Sequence, residues 1–194
     1  MLLITEGMNT EKDYFSSIKD HIQERFKSNL IIDKIDIDLE GTGRGTMEVV
    51  KYALKAKNRN TYSDVWVVFD RDDFTDFDEA IQRASDEGLS VAWSNRSFEL
   101  WFLLHFQNVT SPMDNRMLTD RLSSHLQQHG IIDKAYSKSH KVLYNDLKSF
   151  LSDALVRCEK LMEQYEKDRI IVPSKMDPAT TVHQLIKKLL PYID

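Results

Sequence analysis

The stretch Asp64-Val65-Trp66-Val67-Val68-Phe69-Asp70-Arg71-Asp72-Asp73 decides how the rest of the chain reads. Val65 to Phe69 is an unbroken apolar run rich in β-formers, and it ends at once in Asp70, Asp72 and Asp73. A short run of this kind is the pattern of a strand buried on both faces, as in a parallel sheet. In open α/β sheets, ligands bind beyond the carboxyl ends of the strands. Asp70 and Asp72 are therefore expected where that crevice opens, close enough to share a cation. Hard cations such as Mg²⁺ take oxygen ligands, often one or two carboxylates together with substrate phosphates. Asp is equally at home in the turn that follows a strand, so the pair alone leaves turn chemistry and metal chemistry both open.

On the N-terminal side, Met1 to Thr5 reads as a short apolar strand running into Glu6-Gly7-Met8-Asn9-Thr10-Glu11. Gly7 permits a tight turn. Asn9 or Thr10 can cap a following helix, whose positive N-terminal end suits Glu11 and Asp13. Tyr14, Ile18, Ile22 and Phe26 then share one helical face. From Leu30 to Leu39 apolar and acidic residues alternate, the pattern of a half-exposed strand. The next stretch, Glu40-Gly41-Thr42-Gly43-Arg44-Gly45, matches neither the P-loop nor the dinucleotide fingerprint and reads as a connector. Thr46 can cap a helix from Met47 to Lys57. Beyond the acidic cluster come a helix from Phe77 to Glu87, a stop at Gly88 and a strand from Leu89 to Trp93. Strands joined by helical crossovers imply a mainly parallel sheet covered on both faces.

Phe98-Glu99-Leu100-Trp101-Phe102-Leu103-Leu104-His105-Phe106 is apolar all round, which marks a buried helix. Glu99 in its first turn is out of place, because a buried unpaired charge costs several kcal/mol. It serves the helix dipole, pairs with Arg96, or points into the crevice that holds Asp70; the last reading is favoured here. His105 reads as a core histidine. After Asn108 the pattern turns helical: Arg116–His129, Lys141–Leu151, Ser152–Lys167 and Thr180–Leu190, with no strand expected. The α/β core is thus placed at residues 1–108 and a helical extension packing on it at 109–194, together one structural unit. Between Lys134 and Lys148, basic residues outnumber acidic ones and tyrosines are interleaved. Tyr136, Lys138 and Lys141 are the candidate nucleic-acid contacts in that segment, although a charge run is more often a solvated face.

The 194 residues, 41% hydrophobic and 29% charged, suit an ordinary globular domain. A net charge of -5 gives no global attraction to nucleic acid, but carboxylates built to hold metal add negative charge that bound cations offset. The single cysteine, Cys158, excludes an internal disulfide framework and reads as a small core residue. The six histidines lack the spacing of a zinc site. No run is long and apolar enough for a membrane span, and a secretory leader is not expected. These features fit a cytoplasmic protein.

Acidic residues thus stand at successive expected strand ends: Glu6, then Asp70 and Asp72, then Glu99. A Glu after one strand with Asp-x-Asp after a later one is similar to the Toprim domain. The ordered set resembles the RloB-like family, which is related to Toprim proteins. The matching pieces are Ile4-Thr5-Glu6-Gly7 with Thr10-Glu11 and Tyr14-Phe15, then Val65 to Asp72. They continue through Ser94-Asn95, Ser97 to Trp101 and Leu104-His105-Phe106, and end with Pro178 and Thr180-Thr181-Val182-His183. The resemblance implies a Toprim-like α/β fold and a role in bacterial anti-phage defence of the abortive-infection type. It also implies a partner ATPase of the ABC/AAA-like type and a nuclease acting on DNA or tRNA. The chemistry expected of the acidic set itself is phosphodiester hydrolysis with Mg²⁺ or Mn²⁺. In that chemistry Asp70 and Asp72 hold metal, Glu6 is a ligand or general base, and Glu99 completes a second metal position. Glu11 is a candidate outer ligand, and Lys138 a candidate electrostatic stabiliser. Two other readings remain. One is a non-catalytic Toprim-like binding module of a defence complex. The other is a nucleotide-sugar transferase or an aspartyl phosphatase, neither of which needs Glu6. Phe74 also stands where the phosphatase pattern wants Thr or Val.

Overall fold

The structure, a computed structural model, describes residues 1–7, 9–27, 38–41, 45–59, 62–72, 74–138 and 140–194. Most of the Leu30–Leu39 alternation, the centre of the glycine-rich connector and Asp73 lie outside them.

Four strands run parallel: β1 (Leu2–Thr5), β2 (Asp38–Gly41), β3 (Val65–Asp70) and β4 (Ser90–Asn95). The short β5 (Ala179–Thr180) pairs antiparallel with β4, and the sheet order is β2-β1-β3-β4-β5. Every residue of β3 is buried, as its uninterrupted apolar run requires of a central strand covered on both faces. Period-2 alternation divides the strands between two cores. Leu2, Ile4, Val65, Val67 and Phe69 meet α2 (Thr46–Arg59) and α3 (Phe77–Asp86) on one face. Leu3, Trp66, Val68 and Ala92 meet α1 (Thr10–Phe26) and the C-terminal helices on the other. The helix after β1 thus lies on one face and the helices after β2 and β3 on the opposite one. Strand order reverses between β1 and β3, so a crevice opens at their carboxyl ends.

The α1 stripe forms as expected, with Tyr14, Ile18 and Ile22 buried. Asn9 stands at its N-cap position without a side-chain capping bond. Thr46 lies inside α2 rather than before it, and its hydroxyl reaches Asp76 Oδ1 at 3.3 Å. α4 (Glu99–Leu104) is buried at every position. α5 (Asn115–Gln128) is capped by Asp114, whose carboxylate accepts from the Met117 N–H at 2.7 Å.

Two expectations for the second half need correction. The helix expected over Lys141–Leu151 is a single turn, α6 (Tyr144–Leu147), followed by a 3₁₀ turn at Lys148–Phe150. Leu143 before it is extended (φ -101°, ψ 160°), so the helix cannot begin earlier. The second half also contains a strand: Ala179–Thr180 extends the sheet between α7 (Leu151–Lys167) and α8 (Val182–Ile193). Two residues are too few to register as periodicity; their pairing with Ser94 and Asn95 is made by the fold. Among the described residues, no helix is long and apolar enough to cross a membrane.

Gly88 ends α3 with φ +67°, and Gly130 after α5 has the same φ. Gly88→Ala is expected to destabilise by about 1–2 kcal/mol, the cost of an L-residue in the left-handed region. Its Cβ would also stand 3.3 Å from the Lys57 ammonium, whereas at Gly130 nothing is near. A denaturant midpoint for Gly88→Ala equal to that of the parent chain would contradict this.

Candidate active site

β1 and β3 deliver Glu6 and Asp70 side by side. The Glu6 N–H continues the ladder to Val68 O at 2.8 Å, and the Asp70 N–H donates to Glu6 Oε2 at 3.3 Å. Asp70 is 6% exposed. Its Oδ2 accepts from the Phe98 N–H at 2.9 Å, which ties the end of β3 to the turn before α4. Its Oδ1 is buried with no hydrogen-bond partner among the described residues. Buried polar atoms are nearly always paired, so this oxygen is either a strain point or half of a site.

Asp72 follows in the left-handed region (φ 39°), a conformation Asp tolerates better than most residues. The loop is pinned by Arg71 N–H to Ser94 O at 2.9 Å and Asp72 N–H to Arg96 O at 3.2 Å. Glu6, Gly7, Asn9, Thr10, Glu11, Asp70, Asp72 and Lys138 line one cleft of about 160 Å³. A Cβ at Gly7 would overlap the Glu11 carboxyl, which folds against it and would have to move aside.

The cleft is electrostatically loaded. Burial, reinforced by Asp72, Glu11 and Asp76, raises the Glu6 carboxyl from 4.5 to about 7, against the hydrogen bond from Asp70. Burial also raises Glu11, with Glu99 adding to it and Lys138 opposing. Asp70 is pushed well above the usual carboxylate range, first by burial and then by Glu11, Glu99 and Asp72. For Lys138, burial works against the ammonium, but Glu99, Asp70, Asp72 and Glu11 together hold it more firmly charged than usual.

Glu99 is 2% exposed and does not pair with Arg96, which binds Asp177 Oδ2 at 3.0 Å instead. Tyr136 donates its hydroxyl to Glu99 Oε1 at 3.2 Å. Glu99 is not among the residues that line the cleft, but it is close enough to act on Glu11, Asp70 and Lys138. The surface expected around Tyr136 needs correction. Tyr136 and Tyr144 are buried, so no base can stack on either, and exposed Lys141 lies 3.8 Å from Asp13. Among the described residues of that basic segment, only Lys138 lines the cleft. His105 is a core residue bonded to Trp101 O at 2.9 Å, and the Cys158 thiol is buried beside His183.

The donors are all oxygen, one of them buried and orphaned, which fits a hard cation. Among the described residues, no three carboxylate, imidazole or thiolate groups are already gathered into a complete metal-holding cluster. A cation that keeps several waters and shares substrate phosphates needs only one or two carboxylates. Sequence reasoning undervalued Lys138 and had no signal for Tyr136 as the partner of Glu99, since 37 residues separate the two. A family model described as RloB-like protein matches residues 1–189. Comparison with curated proteins and with solved structures returned no match.

Proposed function

Because the chain belongs to the RloB-like family, we propose that it is a metal-dependent phosphodiester hydrolase of nucleic acid, with the cleft between β1 and β3 as its active site. The observation that carries this reading is the buried, unpartnered Asp70 Oδ1 among carboxylates whose protons are held abnormally tightly. Such an arrangement is unfavourable in isolation and is relieved by positive charge. Asp70 and Asp72 are the groups to hold Mg²⁺ or Mn²⁺, with Glu6 either a further ligand or the general base. The ion would supply Lewis-acid chemistry, activating water and offsetting charge on the phosphate.

The chain's own groups have separable roles. The Phe98 N–H fixes the Asp70 carboxylate. Glu6, raised to about 7, suits a general base near neutral pH. Lys138 faces the same cleft and can stabilise charge developing on a phosphate oxygen. Glu99, held by Tyr136, favours the charged form of Lys138, and the second metal position expected for it belongs to the same proposal. Aspartyl-phosphatase and sugar-transferase chemistry leave the Glu6–Asp70 contact without a purpose. A setting in anti-phage defence beside an ABC/AAA-like ATPase belongs to the same proposal.

The test is cleavage of a panel of DNA and tRNA substrates with Mg²⁺, Mn²⁺ or EDTA, with and without a neighbouring ATPase. Products are expected only with metal. Metal binding without cleavage of any substrate would leave a non-catalytic binding module.

A further inference from the structure

Resting on that hydrolase reading, we propose that the groove beside the cleft is a track for single-stranded nucleic acid, with one unpaired base stacked on Phe74 and a neighbouring phosphate held by Arg96. The groove measures about 660 Å³ and is lined by Arg71, Asp72, Phe74, Arg96, Asp114 and Asn115. Asp72 belongs to both groove and cleft. A strand with one phosphodiester in the cleft therefore runs on into the groove.

Phe74 is the unusual residue. It is 39% exposed, while Phe77, three positions on, is 1% exposed and packs edge-on against Phe69 and Trp93. The ring is backed by Gly45, where an added Cβ would come 3.0 Å from a ring carbon. It also borders both the groove and a second pocket of about 380 Å³. An aromatic supported on one side and open on the other is the platform on which proteins stack bases.

The charges around it suit a phosphate. Arg71 donates to two neutral oxygens, Ser174 O at 2.9 Å and Asn95 Oδ1 at 3.4 Å, so those bonds leave its charge uncancelled. Arg96 uses Nε for Asp177, and its half-exposed side chain has further N–H groups for an incoming phosphate. The Asp114 carboxylate keeps its charge but caps α5 through Oδ1, where the positive end of the helix partly offsets it. A cation in the cleft would offset Asp72. The choice of a single strand follows from geometry. In a duplex each base face is covered by its neighbours, so only an unstacked base can reach Phe74.

The probe is a labelled oligonucleotide, in DNA and RNA forms, alone or annealed to its complement. Binding is read by fluorescence anisotropy on the Asp70→Asn chain, which removes turnover. The single strand is expected to bind at least about tenfold tighter than the duplex, and Phe74→Ala to lose roughly tenfold of that affinity. Phe74→Trp should retain it, and Phe74→Leu, apolar but without a π-face, should behave as Ala. Arg96→Ala should flatten the salt dependence. Thermal melts of each variant establish that it is folded. Equal affinity for duplex, an unaffected Phe74→Ala, a Leu variant that binds like the parent, or no binding at all would each overturn the groove. Cleavage by the unmodified chain is scored separately. Phe74-dependent binding without metal-dependent cleavage keeps the track and removes the hydrolase; cleavage indifferent to Phe74 does the reverse.

Discussion

Asp70→Asn is expected to lower metal-dependent cleavage by at least about 100-fold, the upper end of what losing even an outer-shell partner of a metal site costs. Asn keeps the shape and the acceptor that receives the Phe98 N–H. It removes the negative charge and puts an amide N–H₂ where the orphaned Oδ1 stood. The fold should gain from the same change, because the carboxylate is opposed by burial and by Glu11, Glu99 and Asp72. The melting temperature without metal should therefore be no lower than that of the parent chain. Loss of activity with a preserved or raised melting temperature separates a site residue from a structural one. Glu6→Gln should behave alike in activity. If both variants cleave at the parental rate, the cleft is not the active site.

The second large effect is a linkage between pH, metal and stability. The Glu6 carboxyl has an ordinary value of 4.5 and is raised to about 7 in the folded chain, chiefly by burial. Asp70 and Glu11 are shifted in the same direction. Within that window the folded state binds more protons than the unfolded state, so stability must fall as pH rises. The contribution is fully present below pH 4.5 and is lost as pH passes through about 7. In EDTA, melting temperature should therefore decline as pH rises from about 5 to about 8. Cation binding displaces the same protons, so metal affinity should rise with pH. At a free cation concentration near 100 times the dissociation constant the gain is about 2.7 kcal/mol, or roughly 5–10 °C for a chain of this size. The Mg²⁺- or Mn²⁺-induced shift in melting temperature should be larger at pH 8 than at pH 5. A shift that is equal at both, or absent at both, would argue against carboxylates as the ligands.

These predictions draw unequally on sequence and fold. The Val65–Phe69 run, the stripe of Tyr14, Ile18 and Ile22, and the apolar helix around Trp101 could all be read directly. Each expresses burial through a local period, and neighbours in sequence are enough to display it. The carboxylates at strand ends were legible for the same reason: a β-run that stops at an acid places that acid at the sheet's rim. The two-residue β5 was not legible, since no period exists in so short a segment.

What the amino-acid order determined alone is the parallel α/β core and the candidates Glu6, Asp70, Asp72 and Glu99. Tertiary structure decided which of them share a cleft. It brought Glu6 to Asp70 across 64 residues, placed Lys138 on the cleft wall, and gave Glu99 the Tyr136 hydroxyl as its partner. It also buried the tyrosines expected at the surface and left Phe74 exposed beside Gly45. The physical reason is that periodicity records which face of an element is covered. The identity of what covers it, and hence every pairing of charge with charge, depends on where distant elements come to rest.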